Sequence, residues 1–182
     1  LPGSGYVIDT EELRSQNYYN INQILDSIPG VYYREEDGYG NFPNISIRGG
    51  EGTRSDNVTV MEDGILTAPA AYSAPSAYYS PNAARMGGIE ILKGSSQIAH
   101  GPHTTGGVVN FLSTGFPTDH SFYLRSTYGS NSAFDVHSYW SDTSEGDFGK
   151  VGILAEIYYR QTDGFRTIDA GKGYAGSDET GF

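Results

Sequence analysis

Behind Asn20 the apolar residues Ile21, Ile24, Leu25 and Ile28 fall at spacings of 3, 4 and 7, one stripe of a helix over residues 20–28. Asn20 and Gln23 stand at capping-box spacing, and Pro29-Gly30 stops the helix. Asp9 and Glu12 repeat the spacing, so another helix is predicted from Thr10, after a short strand at Val7-Ile8. The stripe is assigned to a core; the alternative is a face for a partner. Short apolar runs predict strands at Val31–Arg34, at Ile45 and Ile47 around Ser46, and at Val58–Met61. Asp63-Gly64 then turns the chain into Ile65-Leu66. Residues 67–83, rich in Ala, Pro, Ser and Tyr, form a connection longer than compact domains usually carry, which favours a functional loop. Pro81 suits the first turn of a short helix through Arg85.

Between Gly87 and Leu112 a strand candidate, Ile89–Leu92, is followed by a helical turn at Ser95–Ala99, a Gly/Pro/His/Thr loop, the pair Gly106-Gly107 and a second strand, Val108–Leu112. Two strands joined through a helical turn predict a crossover, a βαβ-like unit, rather than a hairpin. It completes a mixed α/β domain ending near Thr114. After Gly115-Phe116-Pro117 the period becomes two. Phe122, Leu124, Ser126 and Tyr128 oppose Tyr123, Arg125 and Thr127. Phe134, Val136, Ser138 and Trp140 oppose Asp135, His137, Tyr139 and Ser141. Val151, Ile153, Ala155, Ile157 and Tyr159 oppose Leu154, Glu156, Tyr158 and Arg160. Turns are predicted at Gly129–Ser132 and Asp142–Asp147, and a polar loop at Gly164–Phe182. Runs of about ten residues with one apolar face and aromatics near the ends meet the needs of a transmembrane β-strand. Strands of a soluble meander are usually about five or six residues long.

At 182 residues the chain is one domain, or one and a part. Apolar residues make up 37% and no run approaches the ~18 needed for a spanning helix. No leader pattern opens the chain at Leu1–Gly5, so a leader is expected to be removed or to lie upstream. The absence of Cys excludes disulfides and thiolate metal sites. With 22 acidic against 11 basic residues, a nucleic-acid surface is not expected. The 15 Tyr and 25 Gly suit a turn-rich β protein or a barrel with aromatic girdles. Lipid cannot satisfy an open strand edge, and three strands cannot close. A plugged barrel of about 22 strands at about ten residues each needs roughly 220 residues in strands, so the chain reads as the front end of a longer protein. No phosphate loop, dinucleotide fingerprint or nucleophile elbow is present, and Ser95-Ser96 with His100 lack an acid, so no catalytic residue and no enzyme are expected.

Four ordered pieces resemble the plug domain of TonB-dependent outer-membrane receptors: Ile24-Leu25 to Ile28-Pro29-Gly30-Val31, Ile45-Ser46-Ile47-Arg48-Gly49, Val60-Met61-Glu62-Asp63-Gly64-Ile65, and Ile89-Glu90-Ile91-Leu92-Lys93-Gly94-Ser95 with His100-Gly101 and Gly106-Gly107-Val108-Val109-Asn110. The last piece has His100 and Ser95 where Tyr and Pro are common. The resemblance covers residues 4–115 strongly and the later strands weakly. It implies an α+β plug, a small mixed sheet with short helices, over 1–115. The first antiparallel strands of a 22-stranded transmembrane β-barrel would follow over 119–182. It also implies an outer-membrane location in a Gram-negative bacterium, substrate binding on the extracellular side, and import driven through the inner-membrane TonB–ExbB–ExbD complex. The TonB box has no match here and is expected upstream. Gly101-Pro102 to Gly106-Gly107-Val108-Val109-Asn110-Phe111 is most similar to ferric-citrate-type receptors. Lys93-Gly94-Ser95 and His100-Gly101-Pro102-His103 differ from the glycan-importing branch.

In that family Arg48 and Lys93 match plug positions that face acids of the barrel wall, which implies a plug–barrel lock; the alternative is a pair of solvated cations. Arg54 offers a bidentate fork for an anionic chelate, His103 and Thr104 offer hydrogen bonds, and Tyr72, Tyr78 and Tyr79 offer amphipathic contact area. These six form the expected ligand set. His100 and His103 lack a Cys or nearby carboxylate to complete a metal site, so no resident metal or cofactor is expected and iron enters only with the chelate. His120 and His137 need no special role. The competing readings are a cobalamin, haem or other metallophore receptor of the same family, and a soluble β-rich binding or adhesion module.

Overall fold

The computed structural model describes residues 4–18, 20–35, 43–50, 57–67, 81–82, 85–100, 106–116, 118–147, 149–167 and 174–181. Two compact units emerge, Leu1–Gly115 and Phe116–Phe182.

In the first unit, strand β1 (Ser4–Ile8) leads into helix α1 (Thr10–Gln16). The Asp9 side chain accepts the Glu12 N–H at 2.9 Å, the expected cap. The stripe Ile21, Ile24, Leu25, Ile28 is buried in the core, as its period requires. It does not lie on an α-helix, however: Ile21–Ser27 is a 3-10 helix. Asn20 caps it by accepting from Asn22 N–H at 3.0 Å, one residue short of the capping-box position. The piece is seven residues long, more than the about three or four usual for a 3-10 run, and Pro29-Gly30 stops it.

Strands β2 (Val31–Glu35) and β3 (Pro43–Ile47) form a separate antiparallel pair. Strands β4 (Val58–Glu62), β5 (Ile65–Leu66), β6 (Met86–Lys93) and β7 (Gly107–Ser113) join β1 in a mixed sheet of order β1-β6-β7-β4-β5. Between β4 and β5, Asp63 (φ 50°) and Gly64 (φ 80°) make the predicted two-residue turn. One core joins both sheets, from Ile8, Ile24, Leu25 and Ile28 through Ile45 and Ile47 to Ile89, Ile91, Val109 and Phe111.

The predicted crossover between β6 and β7 does not exist. The two strands are antiparallel neighbours, with Ile89 opposite Phe111 and Ile91 opposite Val109. The parallel partner of β7 is β4. Among its described residues the connection carries a six-residue 3-10 helix, Ser95–His100, about 12 Å long at ~2 Å per residue. Seven-residue β7 extends about 23 Å at ~3.3 Å per residue, so the helix falls well short of the return run a parallel strand needs.

The second unit is one antiparallel sheet of order β11-β10-β9-β8. Its strands are β8 (Ser121–Tyr128), β9 (Phe134–Gly146), β10 (Gly149–Thr167) and β11 (Tyr174–Gly181). Two expectations are corrected here. Asp142–Gly146 continues β9 rather than turning, because Asp142 to Glu145 pair with Ile153 to Lys150 in an unbroken ladder. The stretch from Gly164 is not a loop where it is described: β10 runs on to Thr167 through a register shift between Thr162 and Arg166, and Tyr174–Gly181 pairs with it as β11. Three strands become four.

Burial in this unit runs opposite to that of a soluble sheet. Asp135, His137, Tyr158 and Arg160 are buried, while Phe122, Leu124, Tyr128, Ile153 and Ile157 on the other face are exposed, Phe122 by 66% and Ile153 by 57%. The ladder sets the outward residues in rows, Phe122 beside Trp140 beside Ala155 and Tyr128 beside Phe134 beside Gln161. From Val151 to Gln161 the strand covers roughly 33 Å at ~3.3 Å per residue. At a tilt of about 40° that is close to the ~25 Å apolar band of an outer-membrane barrel.

Candidate functional site

Arg48 directly follows β3 and Lys93 ends β6, and the fold brings them to one place. Arg48 takes a left-handed conformation, φ 55°, and its N–H donates to the Gly30 carbonyl at 2.7 Å. Lys93 is 7% exposed and its Nζ donates to the carbonyl of Pro29 at 2.9 Å. A Cβ on Gly94 would stand 3.4 Å from Arg48 Nη1, so the guanidinium lies over the residue that follows Lys93. Two consecutive carbonyls of the Pro29-Gly30 turn thus hold the Lys93 ammonium and the Arg48 backbone. Sequence reasoning read that turn only as a helix stop.

Among the described residues the ion pairs are Arg85–Glu62, Arg125–Asp135 and His137–Glu156, and none involves Arg48 or Lys93. An ammonium this buried, with one carbonyl acceptor, is short of a counter-charge, and burying an unpaired charge is costly. The arrangement is suited to receiving a carboxylate.

Arg54, Tyr72, Tyr78, Tyr79, His103 and Thr104 lie outside the described residues. The stems of their loops do not. Gly106 N–H donates to the Asn57 carbonyl at 2.7 Å, which ties together the residues that directly follow 51–56 and 101–105. Both stems sit at the Lys93 end of the sheet, where Val58 faces Gly107 and Leu92 faces Val108. Thr67, from which 68–80 departs, donates through its N–H and Oγ1 to the Val60 carbonyl at 3.2 and 3.0 Å.

At the opposite end the remaining motif residues act as joints. The Asp63 carboxylate accepts from Ser113 N–H at 2.9 Å and from the Ser113 hydroxyl. Asn110 Oδ1 accepts from Gly64 N–H at 2.9 Å, and its Nδ2 donates to Glu90 Oε2 at 3.3 Å. Arg85 pairs with Glu62. These contacts fasten the β4–β5 turn to β6 and β7.

The second unit carries a polar belt that sequence reasoning passed over. Arg125 on β8 reaches Asp135 on β9 at 3.5 Å, and His137 on β9 reaches Glu156 on β10 at 2.8 Å. Tyr123 stacks on Tyr139 with centroids 5.2 Å apart, and His137 meets Tyr123 and Tyr158 edge-on. The alternation of Asp135, His137 and Tyr139 was the available signal. No cluster of three or more His, Asp or Glu placed to hold a metal occurs among the described residues.

The family model described as the TonB-dependent receptor plug domain matches residues 1–108. Among solved structures, the ferric citrate transporter FecA in its unliganded form is 25% identical with a TM-score of 0.66; the match covers 89% of this chain and 25% of FecA. The pyoverdine outer-membrane receptor FpvA of Pseudomonas aeruginosa PAO1, bound to pyoverdine, is 19% identical with a TM-score of 0.70, covering 91% of this chain and 23% of that one. The alcaligin outer-membrane receptor FauA of Bordetella pertussis is 20% identical with a TM-score of 0.68, covering 90% and 27%. The last two establish likeness of fold. The chain spans about a quarter of the length of each.

Proposed function

The chain belongs to the TonB-dependent receptor family, and from that membership we propose that it forms the plug and first wall strands of an outer-membrane transporter importing a ferric chelate. The observation that carries the membrane reading is the reversed burial of the second unit: charged residues inside, apolar ones outside. Such a sheet loses its driving force in water and gains it in lipid. The substrate class rests on the likeness to FecA. Energy comes through the TonB–ExbB–ExbD complex. The chain performs no catalysis, and iron is cargo within the chelate.

The chelate is held at the Lys93 end of the sheet by Arg54, His103 and Thr104, with Tyr72, Tyr78 and Tyr79 supplying contact area. The tied stems at Asn57 and Gly106 support this grouping. Ferric citrate titrated against other ferric chelates into the full-length receptor tests it. Arg54→Ala, which removes a charge-assisted bond of about 1.5–3 kcal/mol, is expected to weaken binding at least about tenfold, and His103→Ala by less. Unchanged affinity in both removes these residues from the site.

Arg48 and Lys93 lock the plug to carboxylates of the barrel wall. Lys93, nearly buried and without an ion pair among the described residues, is what supports that role. Arg48→Glu in the full-length receptor is expected to cut chelate uptake several-fold or to release the plug to added protease. Uptake and protease resistance equal to the parent's would leave the two residues as ordinary strand-end cations.

A further inference from the structure

We infer that Gly106 and Gly107 are positioning residues for Arg48 and Lys93, passing movement of the chain at Asn57 and Gly106 to both cations together. A Cβ on Gly106 would stand 2.6 Å from the Asn57 carbonyl oxygen, the atom its own N–H bonds. A Cβ on Gly107 would stand 2.5 Å from Ile47 Cδ1 and 2.9 Å from the Leu92 carbonyl oxygen. Ile47 directly precedes Arg48, and Leu92 directly precedes Lys93. Three pieces of chain therefore meet on two residues, with no room for one methyl group.

Close packing of this kind transmits displacement, because nothing between the parts can compress. Gly107 also holds φ 144°, a conformation that side-chain-bearing residues rarely adopt, so the contact depends on glycine itself. The stems meet Asn57 and Gly106 on one side, and the cations hang from Ile47 and Leu92 on the other. A shift of either stem moves the backbone under both cations, while the Pro29 carbonyl holds the Lys93 ammonium and the Gly30 carbonyl holds the Arg48 backbone N–H. The value of this coupling for transport rests on the chelate-loop and lock assignments above. Its existence does not, and it is measured without chelate.

Hydrogen exchange of the full-length receptor, read by mass spectrometry on the parent and Gly106→Ala, tests it. Amides of residues 47–49 and 92–94 are expected to exchange on the order of tenfold faster in the variant, while Asp63, Gly64 and Ser113 at the opposite end keep the parent's rates. Gly88→Ala is the control: its Cβ would stand 2.9 Å from the Ile8 carbonyl oxygen, a backbone clash of the same kind away from the cations, and it should leave 47–49 and 92–94 unchanged. Ile47→Val, which removes the methyl group touching Gly107 and threatens folding least, should speed exchange at the Gly106 amide. Uniform acceleration in Gly106→Ala, parent rates at 47–49 and 92–94, or a Gly106 amide indifferent to Ile47→Val each overturn the inference. Loss of chelate binding in Arg54→Ala is a separate readout, so the two ideas fail separately.

Discussion

Phe111→Ala is expected to destabilise the first unit by about 3–5 kcal/mol. Phe111 is 1% exposed on β7, with neighbours on both sides: it pairs with Ile89 on β6 and Glu62 on β4. Its carbonyl accepts the Asp63 N–H at 2.9 Å, so the backbone is pinned and the cavity left by the ring has little means of collapsing. Against a total stability of about 5–15 kcal/mol the loss is a large fraction. Urea unfolding, read as a change in midpoint at constant slope, measures it. Tyr32→Ala, at a side chain 60% exposed, is the matched aromatic control and should cost far less. Equal costs for the two would mean that β7 does not hold the core.

Ile157→Arg separates the two function classes. Ile157 lies on the outward face of β10, opposite Ser138 on β9, in the row that continues to Leu124 on β8. Were the sheet a soluble module, this half-exposed position would tolerate arginine within about 0.5 kcal/mol. Facing lipid, the same change costs about 2–4 kcal/mol near the bilayer midplane. The measurement is reversible unfolding of the full-length receptor in lipid, parent against variant. A cost near zero would favour the soluble binding or adhesion reading.

Local signals were legible in the sequence and relations between distant segments were not. The Asp9 cap, the stripe from Ile21 to Ile28, the Asp63-Gly64 turn and the alternation from Ser121 to Arg160 each depend on neighbours within a few residues, and each is present in the fold. Strand direction leaves no mark in a period of two, so β6 and β7 were read as a crossover when they are antiparallel. The polar stretches Asp142–Gly146 and Tyr174–Gly181 are strands through their ladders, which the alternation of side chains does not report outside an apolar band. At the candidate site the sequence marked Arg48 and Lys93 through the family pattern. That Lys93 rests on the carbonyl of Pro29, sixty-four positions away, is a property of the folded chain.

The order β1-β6-β7-β4-β5 also has a temporal meaning. Chains emerge N-terminus first, both from the ribosome and through a translocon. The strands made first, β1, β4 and β5, occupy the two flanks of the sheet, and the strands made last, β6 and β7, occupy its middle. Ile8 waits for Ile89, and Val60 waits for Val109, so only the two-residue β5 can pair with β4 before residues 86–113 emerge. Pairing at such separations carries a high loop-closure cost and slow folding. The emerging chain therefore stays open for most of its length and closes in one late step, when the β6–β7 hairpin slots between edges already present.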